Sequence, residues 1–232
     1  MRKMTLAVLC AVGLALGLAG AARAGTIVIG DSLIPSGLGL NDTFHLVFVT
    51  STTRIADSTD IASYNTFVQA AADGGSSVVA ALGVDWYAIA STTGGGVANT
   101  NAVVSAPVYR VDGVQVATGY TDMWNGDIIS PINTTELEAV VDVELWSGTK
   151  TDGTADWAAL GSGLYSGNRT AQSDETGTWW IYNNEFSWSL RWGADSRSLY
   201  ALSEELTIVP EPATLALLGL GGLGMLLGRK RK

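Results

Sequence analysis

Hydrophobic and polar positions follow different registers along this chain, and each register predicts a different element. Leu6 to Leu18 is one apolar run, preceded by Arg2 and Lys3. Phe44-His45-Leu46-Val47-Phe48-Val49-Thr50 is a shorter apolar run rich in strand formers, which predicts a buried strand. A mostly polar loop follows over Ser51 to Asp57. Ile61, Tyr64, Phe67, Val68 and Ala71 then recur at helical spacing. Ser58-Thr59-Asp60 supplies N-cap residues and Gly74-Gly75 a stop, so one amphipathic helix is predicted from Ile61 to about Ala72. A shorter helix is predicted from Ser77 to Leu82.

After that the pattern changes to strands and loops. Trp86 to Ala90 is a strand candidate, and Gly94-Gly95-Gly96 opens a flexible loop that ends near Pro107. Val108 to Val111 and Val114 to Val116 flank Asp112-Gly113, which predicts a hairpin with a two-residue turn at positive φ. Val140 to Trp146, Thr178 to Asn183, Phe186 to Trp192 and Ser198 to Ile208 are further strand candidates. Trp179, Ile181, Trp188, Leu190 and Trp192 share period-two spacing, as on a sheet with one buried face. Helices early and strands late define an α+β domain with one or two N-terminal helices and a mostly antiparallel sheet.

The two ends stand apart from this domain. Arg2 and Lys3, the apolar Leu6–Leu18 run and the Ala22-Arg23-Ala24 site form a Sec-type signal peptide over residues 1–24, with a mature start at Gly25. The implied partners are the Sec translocon and signal peptidase. At the other end, Pro210-Glu211-Pro212 precedes sixteen uncharged residues, Ala213 to Gly228, and the basic cluster Arg229-Lys230-Arg231-Lys232. As a helix, 213–228 spans about 24 Å, slightly short of a hydrocarbon core of about 30 Å, and reads as a short transmembrane helix. The basic cluster holds it with the tail in the cytoplasm, and the two prolines stop helix growth back into the domain. Gly219 to Gly224 satisfies a G-x-G-x-x-G pattern, but no strand precedes it, so it is no dinucleotide site.

The order of Pro210-Glu211-Pro212, short apolar helix and basic tail resembles the PEP-CTERM sorting signal of Gram-negative bacteria, over residues 209–232. The resemblance implies transient inner-membrane insertion and recognition by exosortase, a membrane transpeptidase-like protease. It further implies cleavage near the motif and a place at the cell surface or in the extracellular matrix, in bacteria that make exopolysaccharide and biofilm.

The domain between, residues 25–208, carries a second resemblance. Phe44-His45-Leu46-Val47, the helix ending Phe67-Val68-Gln69-Ala70-Ala71, the strand Trp86 to Ser91, Val108-Tyr109-Arg110-Val111-Asp112-Gly113 and Leu145-Trp146-Ser147-Gly148-Thr149 with Asp152-Gly153 and Trp157 stand in the order found in endostatin-type domains. Those belong to the C-type-lectin-like fold. The family's paired cysteines and N-terminal histidine-rich zinc site are absent, so the resemblance implies the fold and carries over no activity.

Charge and reactive groups narrow the chemistry. Between Gly25 and Val209 six basic residues face twenty-one acidic ones, a net charge of −15. That field repels phosphate backbones and excludes nucleic acid as a partner. The single cysteine, Cys10, lies inside the signal, so the exported domain has no disulfide and depends on packing, to which eight tryptophans contribute. His45 is the only histidine and sits in the first strand, where a structural role is expected. No nucleophile elbow, zinc motif or P-loop is present, and a non-enzymatic structural or adhesive role is expected. The carboxylates Asp152 and Asp156, or Glu136 and Glu138, leave a secreted polysaccharide hydrolase as the weakest alternative. A carbohydrate-binding module is the stronger one, with Tyr182, Asn183, Asn184, Glu185 and Trp188 pairing aromatic and polar groups. No cofactor is required; calcium is the candidate cation, in turns holding Asn125, Asp127 and Asp152.

Overall fold

A computed structural model describes residues 25–28, 30–164, 166–183 and 190–211. The described chain is mixed α+β. It runs β1 (Thr26–Val28), β2 (Thr43–Val49), α1 (Ile61–Asp73), α2 (Ser77–Ala81), β3 (Trp86–Ala88), α3 (Ala98–Asn101), β4 (Val108–Arg110), β5 (Gln115–Ala117) and α4 (Tyr120–Met123). Then follow β6 (Glu144–Trp146), β7 (Gly167–Gln172), a 3-10 helix (Thr178–Trp180), β8 (Leu190–Trp192), β9 (Tyr200–Ser203) and β10 (Leu206–Val209).

Strand β2 is the hub. On one side it pairs in parallel with β4 through His45, Leu46 and Val47. On the other it pairs antiparallel with β10 at Thr43 and Phe44, and with β9 at Val47 to Val49. β3 extends the sheet beside β9, β5 beside β4, and β1 lies parallel to β10. A separate antiparallel sheet is formed by β6, β7 and β8. The sheet around β2 is mostly antiparallel, as expected, with two parallel pairings, β2–β4 and β1–β10, among its six.

The apolar run of β2 has its reason in two cores. Phe44, Leu46 and Phe48 point into one, with Tyr64, Val68, Ala71 and Ala72 of α1, Trp86 and Trp146. Val47 and Val49 point into the other, with Met123, Trp124, Ile132, Leu145, Trp180 and Tyr200. Both faces of the strand are covered, so alternation disappears and an unbroken apolar run remains. The predicted helix is present: Asp60 Oδ1 accepts from Ala62 N at 3.0 Å as N-cap, and Gly74 N donates to Ala70 O at 3.2 Å at the end.

Side-chain amides close an exposed edge. β3 has β9 on one side only; on the other, Gln69 Oε1 accepts from Trp86 N at 2.9 Å and Asn65 Oδ1 from Ala88 N at 2.9 Å. Asn101 Nδ2 donates to Ala88 O at 2.8 Å and to Asn65 Oδ1 at 2.9 Å. Helix residues thus take the place of a neighbouring strand and leave little backbone for another chain to pair with.

Four expectations are corrected. Thr178–Asn183 is not a strand: Trp180 N bonds Gly177 O and Tyr182 N bonds Thr178 O, so local turns take the donors that a ladder would need. The turn drives Trp180 between Trp124 and Tyr200, each 6.1 Å away between ring centroids. Trp192 is 61 % exposed, because β8 pairs only with β7 among the described strands, so the period-two face is not a buried one there. The Ser198–Ile208 segment breaks into β9 and β10 at Glu204-Glu205, where Glu204 N turns to Asp85 O at 2.9 Å. The β4–β5 hairpin is confirmed, but its loop is a three-residue one. Gly113 N bonds Arg110 O, Arg110 N bonds Val114 O, and only Gly113 has positive φ.

Replacing Asn65 with Leu leaves the buried Ala88 N–H without an acceptor. The expected cost is about 2 kcal/mol in urea unfolding, against less than about 0.5 kcal/mol for Thr66→Ala one residue along on the exposed face. Equal effects at the two positions would refute the edge-closing role.

Candidate functional site

The ends of the domain meet on one ribbon. β1 lies on β10 in the register Thr26–Thr207, Ile27–Ile208 and Val28–Val209. Gly25 O accepts from Thr207 N at 2.7 Å, while Asn41 N donates to Ile208 O at 2.9 Å and Ile208 N to Asp42 O at 3.1 Å. Ile27, Leu206 and Ile208 are buried. Order thus extends to Val209, and Pro210, which lacks a backbone N–H, ends the ladder. Gly25 has φ +79°, and a methyl group added there would stand 2.8 Å from Glu205 O. The position after the Ala22-Arg23-Ala24 site therefore requires glycine for a structural reason.

Glu211 is exposed at the end of this ribbon. Ala22, Ala24, Pro212, the 213–228 helix and Arg229, Lys230, Arg231 and Lys232 lie outside the described residues. Among the described residues no helix is long and apolar enough to cross a membrane.

A core strand that runs directly into a proline-flanked glutamate and an apolar, basic-ended tail defines a class: an exported protein carrying a C-terminal sorting signal. The particular signal follows from comparison, since residues 209–232 match the family model of the PEP-CTERM protein-sorting motif. The chain is an exosortase-targeted surface protein. No curated protein matches it.

Elsewhere, Tyr182 and Asn183 gather around a buried ion pair. Arg169 Nε lies 2.6 Å from Asp156 Oδ2, with both side chains almost fully buried. The Arg169 guanidinium stacks 4.5 Å from the Tyr182 ring centroid, and its Nη1 donates to Asn183 O at 2.8 Å. Asn184, Glu185 and Trp188 lie outside the described residues. Asp156 Oδ1 also accepts from Trp157 N at 2.8 Å, and Trp157 is 73 % exposed. In the sequence Trp157 stands out only as a position of the endostatin-type resemblance. Its exposure comes from the chain turning at a buried carboxylate, which no periodicity reports.

The residues chosen for calcium make turn contacts. Asn125 Oδ1 accepts from Asp127 N at 2.8 Å, and Asp152 Oδ1 accepts from Thr154 N at 2.9 Å. The Thr154 contacts hold the Asp152 carboxyl below its ordinary range. Among the described residues no three His, Cys, Asp or Glu side chains gather as a metal-binding group. The carboxylates weighed for hydrolysis also have separate partners. Asp156 pairs with Arg169, Glu136 accepts from Ser51 N at 2.9 Å, and Glu138 sits exposed in a turn with φ 62°.

His45 is buried beside a shallow cleft of about 400 Å³ lined by Tyr87, Ser105, Glu204 and Glu205. Its Nδ1 contacts Ser203 O at 2.9 Å, and Ser105 N donates to Nε2 at 3.1 Å. A carbonyl only accepts, so Nδ1 carries the proton and the ring is neutral. Ser105 Oγ lies 3.1 Å from Nε2 and also donates to Glu205 Oε2. Desolvation lowers the His45 pKa from 6.5, against the opposing contacts with Ser203 O and Glu205.

Two outcomes are expected. Asp156→Ala strands Arg169 in the interior and costs about 3 to 5 kcal/mol, whereas the paired change Asp156→Leu with Arg169→Met costs far less; chemical unfolding of the three proteins checks this. For His45 the folded pKa is depressed, so the unfolded chain binds more protons below about pH 6.5 and stability falls as pH falls through that window. Thermal unfolding between pH 7.5 and 5.5 should show this loss, and His45→Gln should flatten it.

Proposed function

We propose that this chain is a non-enzymatic structural or adhesive protein of the exopolysaccharide or biofilm matrix, presented by a C-type-lectin-like domain after exosortase processing. The observation that carries the reading is the sorting motif that begins on Val209, the last residue of a core strand. Export, membrane arrest and cutting then act on one compact body with both ends on the same ribbon. The fold resemblance draws support from α1 preceding most of the strands and from Trp146, fully buried against β2's side of the core. The strongly acidic domain suits a hydrated matrix, where like charges keep neighbouring copies apart.

One observation favours carbohydrate binding within that role. Trp157 offers an exposed indole whose backbone is fixed by Asp156, next to the Arg169 group that holds Tyr182 and Asn183. Flat aromatics beside polar groups are the usual means of holding a sugar ring. Polysaccharide pull-down with and without chelator tests this reading, with Trp157→Ala as the control that should lose binding. Uniform silence across a glycan array would remove it.

The sorting reading predicts a mass difference. In a host with exosortase, the exported wild-type protein should begin at Gly25 and lack the basic cluster Arg229–Lys232. Replacing Pro210, Glu211 and Pro212 with alanine should leave the tail on and the protein in the membrane fraction. Intact mass spectrometry of both proteins decides; identical masses would contradict it.

A further inference from the structure

We propose that signal-peptide removal creates an ion pair between the new α-ammonium of Gly25 and the carboxylate of Glu204, and that this pair clamps β1 onto the strand leading into the sorting motif. The proposal rests on the export reading above. Hydrolysis of the Ala24–Gly25 peptide bond consumes one water, leaving a carboxylate on Ala24 and an ammonium on Gly25. A neutral amide nitrogen thereby becomes a cation, protonated at neutral pH with an ordinary pKa of about 8.

Three observations place its partner. A methyl group on the Gly25 Cα would stand 3.8 Å from Glu204 Oε2, so the carboxylate lies beside the carbon that bears the new ammonium. Glu204 is half-buried, and among the described residues no Arg or Lys lies within ion-pair distance of it. Among the described residues its carboxylate receives one N–H, that of Asp85, at a long 3.3 Å. Glu205, the other acid at this bend, has its carboxylate engaged by Ser105 Oγ.

The register shows what the pair would hold. Gly25 O accepts from Thr207 N, so anchoring Gly25 fixes the first rung of the β1–β10 ladder. β1 is three residues long and parallel, so one added contact at its start bears on a large share of its ladder. Before the cut, the 1–24 segment continues from this point and no charge is available. After it, the first residue of the ribbon carries a charge beside the Glu204 carboxylate. The signal-cleaved form thus holds the already paired ribbon more firmly ahead of the motif.

The test is a two-by-two set in the exported, processed protein: wild type, Glu204→Gln, a Thr-Gln insertion between Ala24 and Gly25, and both together. The insertion moves the ammonium away while keeping Gly25 in the chain. Glu204→Gln keeps an acceptor for Asp85 N. Each single change should lower Tm by about 3 °C, and the double should fall no further than either single. Hydrogen exchange at the Thr207 amide should quicken in the insertion variant, which reads the clamp even if Glu204→Gln folds poorly. Additive or absent Tm changes with a wild-type mass starting at Gly25 would overturn the clamp alone. A mass starting elsewhere would overturn it together with the export reading.

Discussion

Burial of β2 on both faces is the constraint from which the rest follows. A seven-residue strand with every position from Phe44 to Val49 buried must be covered above and below and paired on both edges. α1 covers one face, and the loops around Met123, Ile132 and Trp180 cover the other. Pairing consumes six further strands, β4 and β5 on one side and β9, β3, β10 and β1 on the other, directly or through a neighbour. With no cysteine in the exported domain, this double burial replaces the covalent staples that small secreted domains use.

The polar groups inside this body solve local problems of desolvation. Gln69, Asn65 and Asn101 satisfy the open backbone of β3. His45, forced into the interior by its place in β2, is kept neutral by a carbonyl on one nitrogen and a backbone N–H on the other. Arg169 enters the interior with Asp156, the Asn183 carbonyl and the Tyr182 ring around it. Each is a buried group with its partner supplied, which is the only way such groups are tolerated.

Those same facts decide what could be read from the sequence. α1 was legible because cap, period and stop agree at Asp60, Tyr64–Val68–Ala71 and Gly74. β2 was legible from its composition. β7 was missed, since Gly-Asn-Arg-Thr-Ala-Gln has neither alternation nor apolar character; its Asn168, Arg169 and Thr170 are buried because distant partners satisfy them. β1 was missed because three residues carry no period, and its place depends on β10, some 180 positions away. Thr178–Asn183 reads as a strand because Trp179 and Ile181 keep period two, whereas tertiary packing of Trp180 against Trp124 and Tyr200 turns the backbone. The sorting motif, in contrast, is a local chemical word and could be read whole.

The absence of a spacer gives that word its structural meaning. The ladder holds to Val209 and the apolar run starts at Ala213, so Pro210, Glu211 and Pro212 bridge them with no more than about 11 Å of extended chain. Ile208 is fully buried, and its N–H and C=O are both bonded within the domain. A cut before Val209 would take a rung from a strand that seals one core. Proline nitrogens at 210 and 212 also offer no donors with which to prolong the ladder. The fold therefore ends where the sorting motif begins, and Glu211 stands exposed just beyond the ladder.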